Sequence, residues 1–436
     1  MSHKMVVLCS FIIVFGLIAG CEKGAPGHGS DESSPSQATP PPTQGSDGNQ
    51  ATADIQEDGM VSLKSVRAIT AGGDRTCAIV DDGSLKCWGI NFNGPDSEYN
   101  KVKDKVHVFY PKPTAIPGLD KVIKVSTNGA TTCAIQGNGD VRCWGINPKG
   151  STGVLGWESN YYTADPTLFK ELTELEPSNL VMSSMAGALA AQAREKVYAW
   201  GPRDLLLGSL AAIGTTPKEE VFANGVVKMS LAGAASCGIF QGGKVQCWGP
   251  GRFGQFGDGK EHNISFPVPP YSPINLTDIP GVGAATDITV GAGHACAIVD
   301  KDVLCWGSVV TTATYAPAPP ALADFNLSKP VIIKGLVGTP TALASGCAHT
   351  CVLMESGAVQ CWGYNAHGEL GNGNTDNQWS FVNVVGLAGA KQLAAGNNHT
   401  CALLGDDTIK CWGANDWGQL GNGNIINQTK PVTVVE

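Results

Sequence analysis

Apolar and polar residues alternate in short runs along most of this chain, and the runs stop at glycine, proline, asparagine or aspartate. The clearest stretch is Cys401 to Gly413, CALLGDDTIKCWG. Its two-residue period predicts a strand, a tight turn and a second strand. The Trp-Gly that closes the hairpin recurs at Trp88, Trp144, Trp200, Trp248, Trp306, Trp362 and Trp412. A short apolar strand ending in glycine precedes the hairpin, as in Val66 to Gly72. A strand signal beginning near proline, such as Pro431 to Val435, follows it after a segment of variable length. Successive copies are 56, 56, 48, 58, 56 and 50 residues apart, the long period of propeller blades rather than of helical solenoids.

Four short strands cannot bury their own faces, but seven such units packed radially bury one another and leave only short edges. Residues 61–436 are therefore predicted to form an all-β, seven-bladed β-propeller with four-stranded blades. The last strand signal falls at the C-terminus, and the first unit lacks a preceding proline strand. That arrangement predicts that the C-terminal strand completes the blade opened by the N-terminal one.

Most of the fifteen cysteines follow the repeat. They pair locally as Cys77 with Cys87, Cys133 with Cys143, Cys237 with Cys247, Cys296 with Cys305, Cys351 with Cys361, and Cys401 with Cys411. A three-residue loop such as Asp81-Asp82-Gly83 sets residues ten apart opposite each other, and the shorter loop Asp300-Lys301 does the same for Cys296 and Cys305. Facing positions in an antiparallel pair fall near disulfide geometry. In the third copy Ala199 replaces the second cysteine, and counting back ten reaches Leu189, so both members are absent together. Reduced buried thiols or a metal array are the alternatives, the latter without a second pair or a histidine at ligand spacing. Disulfides would mean an oxidising compartment. Cys347 stands where other copies have Gly73, Gly129, Gly233, Ala292 and Asn397, and reads as a small residue in a tight place. A metal site drawn from Cys347, His349 and Cys351 competes with that reading, but Cys351 already has a partner.

Gly396 to Thr400, Trp412-Gly413 and Gly418 to Gly421 carry a Gly-His-Thr, Trp-Gly and Gly-Gln-Leu-Gly pattern. In these residues the units resemble the repeats of the regulator of chromosome condensation family, which are seven-bladed propellers. Copies one, two, three and five lack an intact Gly-Gln-Leu-Gly segment, and Arg75, Thr131 and Ala235 stand where the histidine belongs. By this resemblance two further functions follow as expectations. Secreted propellers of the family include β-lactamase inhibitors, and the namesake exchanges guanine nucleotide on a small GTPase.

Composition adds limits. With 56 glycines and only 15% charged residues the chain is too glycine-rich for a helical protein. A formal net charge of -9 supplies no basic stripe, so nucleic acid is not an expected partner. Residues 1–20, with Lys4 and an apolar run from Met5 to Ala19, read as a secretory signal. Leu17-Ile18-Ala19-Gly20-Cys21 resembles the lipobox of bacterial lipoproteins, which implies a lipid on Cys21 and a membrane anchor. Glu22 follows in place of an inner-membrane retention aspartate, favouring the outer membrane, on its periplasmic or surface side. An ordinary cleaved signal and an uncleaved anchor are the alternatives. Residues 21–60 are Gly, Ser, Pro and Gln with almost no large apolar side chain, a composition that cannot offset chain entropy and predicts a disordered tether.

A search for chemistry returns architecture. Gly249 to Gly254 matches a dinucleotide string without the helix or acidic partner that it needs. His294, His349 and His399 occupy one repeat position, as do the seven tryptophans, and residues that recur with the blade read as structural. Asn372 to Asn377 and Asn422 to Asn427 could hold calcium, but turn formation accounts for them more simply. No catalytic residue, metal or cofactor is expected. Aromatic residues gather between Trp-Gly and the next proline strand: Tyr99, Tyr110, Trp157, Tyr161, Tyr162, Phe253, Tyr271 and Tyr315, with Phe92, Phe109 and Phe256. These segments are topologically equivalent and cluster on one face or rim, where aromatic loops on a rigid scaffold suit a binding surface; packing back onto the scaffold is the alternative. The sequence thus predicts a non-catalytic, envelope-anchored binding module for an envelope protein or surface polymer. An inhibitor or regulator of an envelope enzyme is the second reading, ahead of nucleotide exchange and a polysaccharide-acting enzyme.

Overall fold

The computed structural model describes residues 61–91, 108–128, 131–146, 162–168, 173–175, 177, 179–182, 189–193, 196–201, 214–219, 225–232, 235–248, 254–260, 277–308 and 326–436. Within them the strands form seven four-stranded sheets, each an antiparallel meander of consecutive strands. Blade 1 runs from Val66–Gly72 through Arg75–Val80 and Leu85–Asn91 to Val108–Ala115. Blade 7 runs from Ala390–Ala395 through His399–Leu404 and Ile409–Gly413 to Gln428–Thr433. Blades 2 to 6 occupy residues 122–168, 179–219, 226–278, 285–332 and 340–383. The innermost strand of every blade packs on that of the next, and the seventh packs on the first. The chain is an all-β propeller.

Each strand position has its own composition. The outermost strands of blades 1, 2, 3, 5 and 7 contain Pro111, Pro113, Pro166, Pro217, Pro330 and Pro431. Proline lacks a backbone donor and is tolerated where only one neighbour is hydrogen-bonded. The two middle strands are buried almost throughout, as in Arg75–Val80 and His399–Leu404. Trp88, Trp144, Trp248, Trp306, Trp362 and Trp412 are at most 2% exposed and fill the space between blades.

The hairpin pairs match the predicted register. Cys77 faces Cys87, Cys133 faces Cys143, and the four other pairs follow. In all six pairs the sulfurs are bonded, with Cα atoms 4.0–4.1 Å apart. In blade 5 the shorter turn keeps register through Asp300, whose φ is +55°. Blade 3 corrects the count from Ala199: its cross-strand partner is Ala190, and Leu189 faces Trp200. Only residues 194 and 195 separate these strands, so the partner lies nine residues away, as in blade 5. An alanine pair stands where the other blades have a disulfide.

The circle also closes differently from the sequence reading. Gln428–Thr433 pairs with Ile409–Gly413 in its own blade, and all four strands of blade 1 come from the N-terminal unit. The first and last segments of the propeller meet between blades. Ser62 bridges Val435, Leu63 N–H donates to Val434 O at 3.0 Å, and Glu436 N–H donates to Val61 O at 2.8 Å. Residues 61–65 thus take the place of the link that joins other blades. Val66 N–H donates to Asp407 O at 3.3 Å, just as Val122 does to Gly83 O at 2.8 Å across a covalent junction. Leu63 and Val434 are fully buried in one cluster with Trp88, so burial of apolar surface holds the seam.

The register in blade 3 makes a prediction. Ala190→Cys combined with Ala199→Cys will form a seventh disulfide on air oxidation and raise the melting temperature, whereas Leu189→Cys with Ala199→Cys will leave both thiols titratable. Mass spectrometry of peptides from alkylated, unreduced protein distinguishes the two. By the loop-closure relation the new bond contributes about 3 kcal/mol.

Candidate interaction face

In each meander the first and third connections emerge on one face and the hairpin turn on the other. The first connection carries the Gly-His-Thr pattern and the third carries the variable segment. Beneath that face lies a repeated junction. His294 Nε2 meets Thr350 Oγ1 at 2.8 Å, His349 Nε2 meets Thr400 Oγ1 at 2.9 Å, and His399 Nε2 meets Thr76 Oγ1 at 2.8 Å, each spanning adjacent blades. Thr76 and Thr400 hydroxyls donate onward to Gln419 O and Glu369 O at 3.0 and 3.3 Å. The same carbonyls accept from the indole N–H of Trp88 and Trp412 at 3.0 and 2.8 Å, and Gln255 O accepts from Trp306 at 2.7 Å.

The three histidines are at most 1% exposed. Burial pulls their pKa values down, to about 4 for His294 and about 3 for His349 and His399, so all are neutral at physiological pH. They are part of the scaffold. Arg75, which replaces the histidine in blade 1, makes the same crossing: its Nη1 donates to Thr132 Oγ1 at 2.8 Å, and its Nε to Ile90 O at 2.9 Å.

Closer to the axis the inner turns are chained by backbone hydrogen bonds. Ala292 N–H donates to Cys347 O at 3.0 Å, Cys347 to Asn397 O at 2.9 Å, and Asn397 to Gly73 O at 2.7 Å. Cys347 is 5% exposed. The neighbouring Gly396 lies so close to Gly73 O that a Cβ would sit 2.5 Å from it, which is the physical reason for small residues here.

The Asn-rich segments of blades 6 and 7 are folded around a side chain. Asn365 Nδ2 donates to Asn372 Oδ1, Asn374 O and Asp376 O at 3.2, 3.0 and 3.1 Å. Asn415 Nδ2 does the same toward Asn422 Oδ1, Asn424 O and Ile426 O at 3.1, 3.0 and 3.2 Å. The amide occupies the centre of the oxygen cage that calcium would have required.

Above this layer are side chains that differ between blades. Trp417 packs edge to face on Phe109 across the junction of blades 7 and 1, with centroids 6.3 Å apart. In blade 6 the equivalent of Trp417 is His367, which stands 6.5 Å from Tyr364 and 3.4 Å from Asn427 Nδ2. Ile425 and Ile426 are 49% and 65% exposed, and Phe109 38%. Asp74 lies half-buried near Asp416, and its carboxyl is pushed up to about 7, by burial first and then by the Asp416 charge. Burial lowers the His367 pKa, and Asp416 partly offsets this.

Of the aromatic residues singled out from sequence, Tyr110 is half-buried on the outermost strand of blade 1, opposite Gly89. Tyr162 opens the outermost strand of blade 2, its side chain lying outside the described residues. Cys21, Tyr99, Trp157, Tyr161, Phe253, Tyr271 and Tyr315 also lie outside them. Phe256 turns inward, 4% exposed beside Trp306. Asp74, Tyr364, His367, Asp416 and Trp417 were missed. A signal for Trp417 existed, since aligned segments of copies six and seven differ at this position while Asn, Leu and Gly around it recur.

A disulfide-bonded β-propeller built from recurring blade junctions is a repeat protein. More particularly, the chain carries regulator of chromosome condensation (RCC1) repeats. Residues 66–94, 341–369 and 390–419 match one model of that repeat, and residues 356–403 and 407–436 match a second. The E3 ubiquitin-protein ligase HERC2 of Homo sapiens is 27% identical over 298 residues, 64% of this chain but 6% of that protein. The ultraviolet-B receptor UVR8 of Arabidopsis thaliana is 25% identical over 335 residues, 74% of this chain and 70% of the receptor. The structure of Prp20p from Saccharomyces cerevisiae, described with its binding to Gsp1p and histones, superposes with a TM-score of 0.65 at 18% identity, covering 86% of this chain and 88% of that one.

The junction between blades 6 and 7 has a pH signature. Glu369 is fully buried where blade 7 has Gln419, and burial raises its carboxyl from 4.5 to about 8. The folded protein therefore keeps a proton that the unfolded chain releases above about pH 4.5. Its stabilising contribution is complete below that pH and is lost as pH rises through about 8. Glu369→Gln will remove this part of the alkaline loss, which between pH 6 and pH 9 is on the order of 3 kcal/mol, read from urea unfolding of both proteins at those two pH values.

Proposed function

We propose that this chain is a non-catalytic interaction propeller, held at a bacterial cell envelope by a lipid on Cys21, whose varied loop face docks a protein. The observation that carries this reading is the contrast between two layers. The recurring His, Thr, Trp and Gln residues are consumed in blade junctions, while blade-specific aromatic and aliphatic side chains stand above them at the surface. Such a layer on a rigid support presents contact area with little ordering cost.

Six hairpin disulfides fit an exported protein, and the lipobox-like Leu17 to Cys21 supplies the anchor. Prp20p, of the same fold, is described by its binding of other proteins, which favours a protein partner over a surface polymer. The inhibitor reading shares this face and differs only in the partner being an enzyme.

Two measurements test the proposal. Full-length protein made in a bacterial host will incorporate labelled palmitate and sediment with membranes, and Cys21→Ser will do neither. Label retained by Cys21→Ser would remove the anchor. Crosslinking of the oxidised chain in intact envelopes will recover a defined protein partner. Recovery of glycan alone would replace the protein partner with a polymer.

A further inference from the structure

The most informative surface is the seam where blades 7 and 1 meet. It is continuous: Phe109 stacks on Trp417, Gly423 N–H donates to Pro111 O at 2.9 Å, and Gly418 lies directly against Pro111. Ile425 and Ile426 extend it into solvent. The glycine contacts recur between blades 6 and 7, but Asp416, Trp417, Ile425 and Ile426 are not residues of the blade pattern. Blade 6 has Ala366, His367, Thr375 and Asp376 where blade 7 has Asp416, Trp417, Ile425 and Ile426, although the Asn cage beneath is the same in both. The Asn cage thus does not dictate their identity.

Two carboxylates border this apolar band. Asp416 lies in the third connection of blade 7 and Asp74 in the first connection of blade 1, on the same face and close enough to repel each other. No Lys or Arg among the described residues forms an ion pair with either. Half-buried like charges beside partly exposed aromatic rings favour a cation with an apolar neighbour.

We propose that this seam docks a segment of a partner protein in which a lysine or arginine adjoins an apolar side chain, the cation facing Asp74 and Asp416 and the apolar group lying on Trp417 and Phe109. The proposal rests on the interaction reading and deepens it by naming the face and the partner's chemistry. A seated cation counters the Asp416 charge, which adds to burial in raising the Asp74 carboxyl, and the rings exclude water from the pair.

The test is to pan displayed short random peptides against the full chain in detergent, then measure recovered peptides against Trp417→Ser and Asp416→Lys. Both side chains reach solvent, so unchanged melting temperatures will confirm that the variants fold. Enriched sequences will carry Lys or Arg next to an apolar residue, bind about tenfold or more weakly to each variant, and lose affinity at high salt. Enrichment of neutral or acidic sequences overturns the proposal, as does binding to either variant as tight as to the unmutated chain; either result removes this face while leaving the propeller an interaction module. Binding of envelope polysaccharide in place of peptide, lost in Trp417→Ser and kept in Asp416→Lys, overturns it as well. Failure of envelope crosslinking to recover any protein removes the interaction reading itself.

Discussion

The contact on which this propeller depends is the indole of one blade donating to a loop carbonyl of the blade before it. Trp88, Trp306 and Trp412 each do so, and in each case the residue after that carbonyl, Leu420, Phe256 or Leu370, is buried in a cluster with the same tryptophan. Burial of the leucine contributes about 2 kcal/mol, whereas the hydrogen bond contributes about 1 kcal/mol net. Packing therefore supplies most of the adhesion and the hydrogen bond fixes the angle. Gly421, at φ +67°, sits where a Cβ would lie 2.6 Å from the Trp88 ring nitrogen, so the loop can approach the indole only without a side chain.

Because every blade depends on its neighbour, the first and last segments of the propeller must be held as firmly as any other junction. The seventh junction repeats the others with one change: the covalent link is replaced by hydrogen bonds between residues 61–63 and 434–436, supported by the ion pair of Lys86 and Glu436 at 2.7 Å. That pair is partly exposed and contributes little. The buried Leu63, Val434 and Trp88 do more.

Function enters where the repetition fails. Once His, Thr, Trp and the Asn cage are assigned to junctions and loops, the described residues that remain on the face in blades 6 and 7 are those that differ where the cage beneath is the same. The same reasoning separates Phe256, which fills a junction, from Phe109, which meets solvent. It also turns Arg75 from a defect in a motif into a second solution, because a guanidinium reaches the next blade's threonine as well as an imidazole does.

Local chemistry was legible in the chain itself. The strand period, the Cys pairs across loops of two or three residues, and the Trp-Gly count all depend on neighbours within about one hairpin, so spacing alone placed the blades and six bonded pairs. Where the loop length was misjudged, at Ala190 and Ala199, one residue moved the partner to the opposite face. Tertiary structure decided what no spacing could encode. Trp88 meets Gln419 across 331 residues of sequence, residues 61–63 and 434–436 meet between blades rather than within one, and Asp74 joins Asp416 and Trp417 at a single seam. These meetings follow from closing the circle, and closure is a property of all seven units packed together.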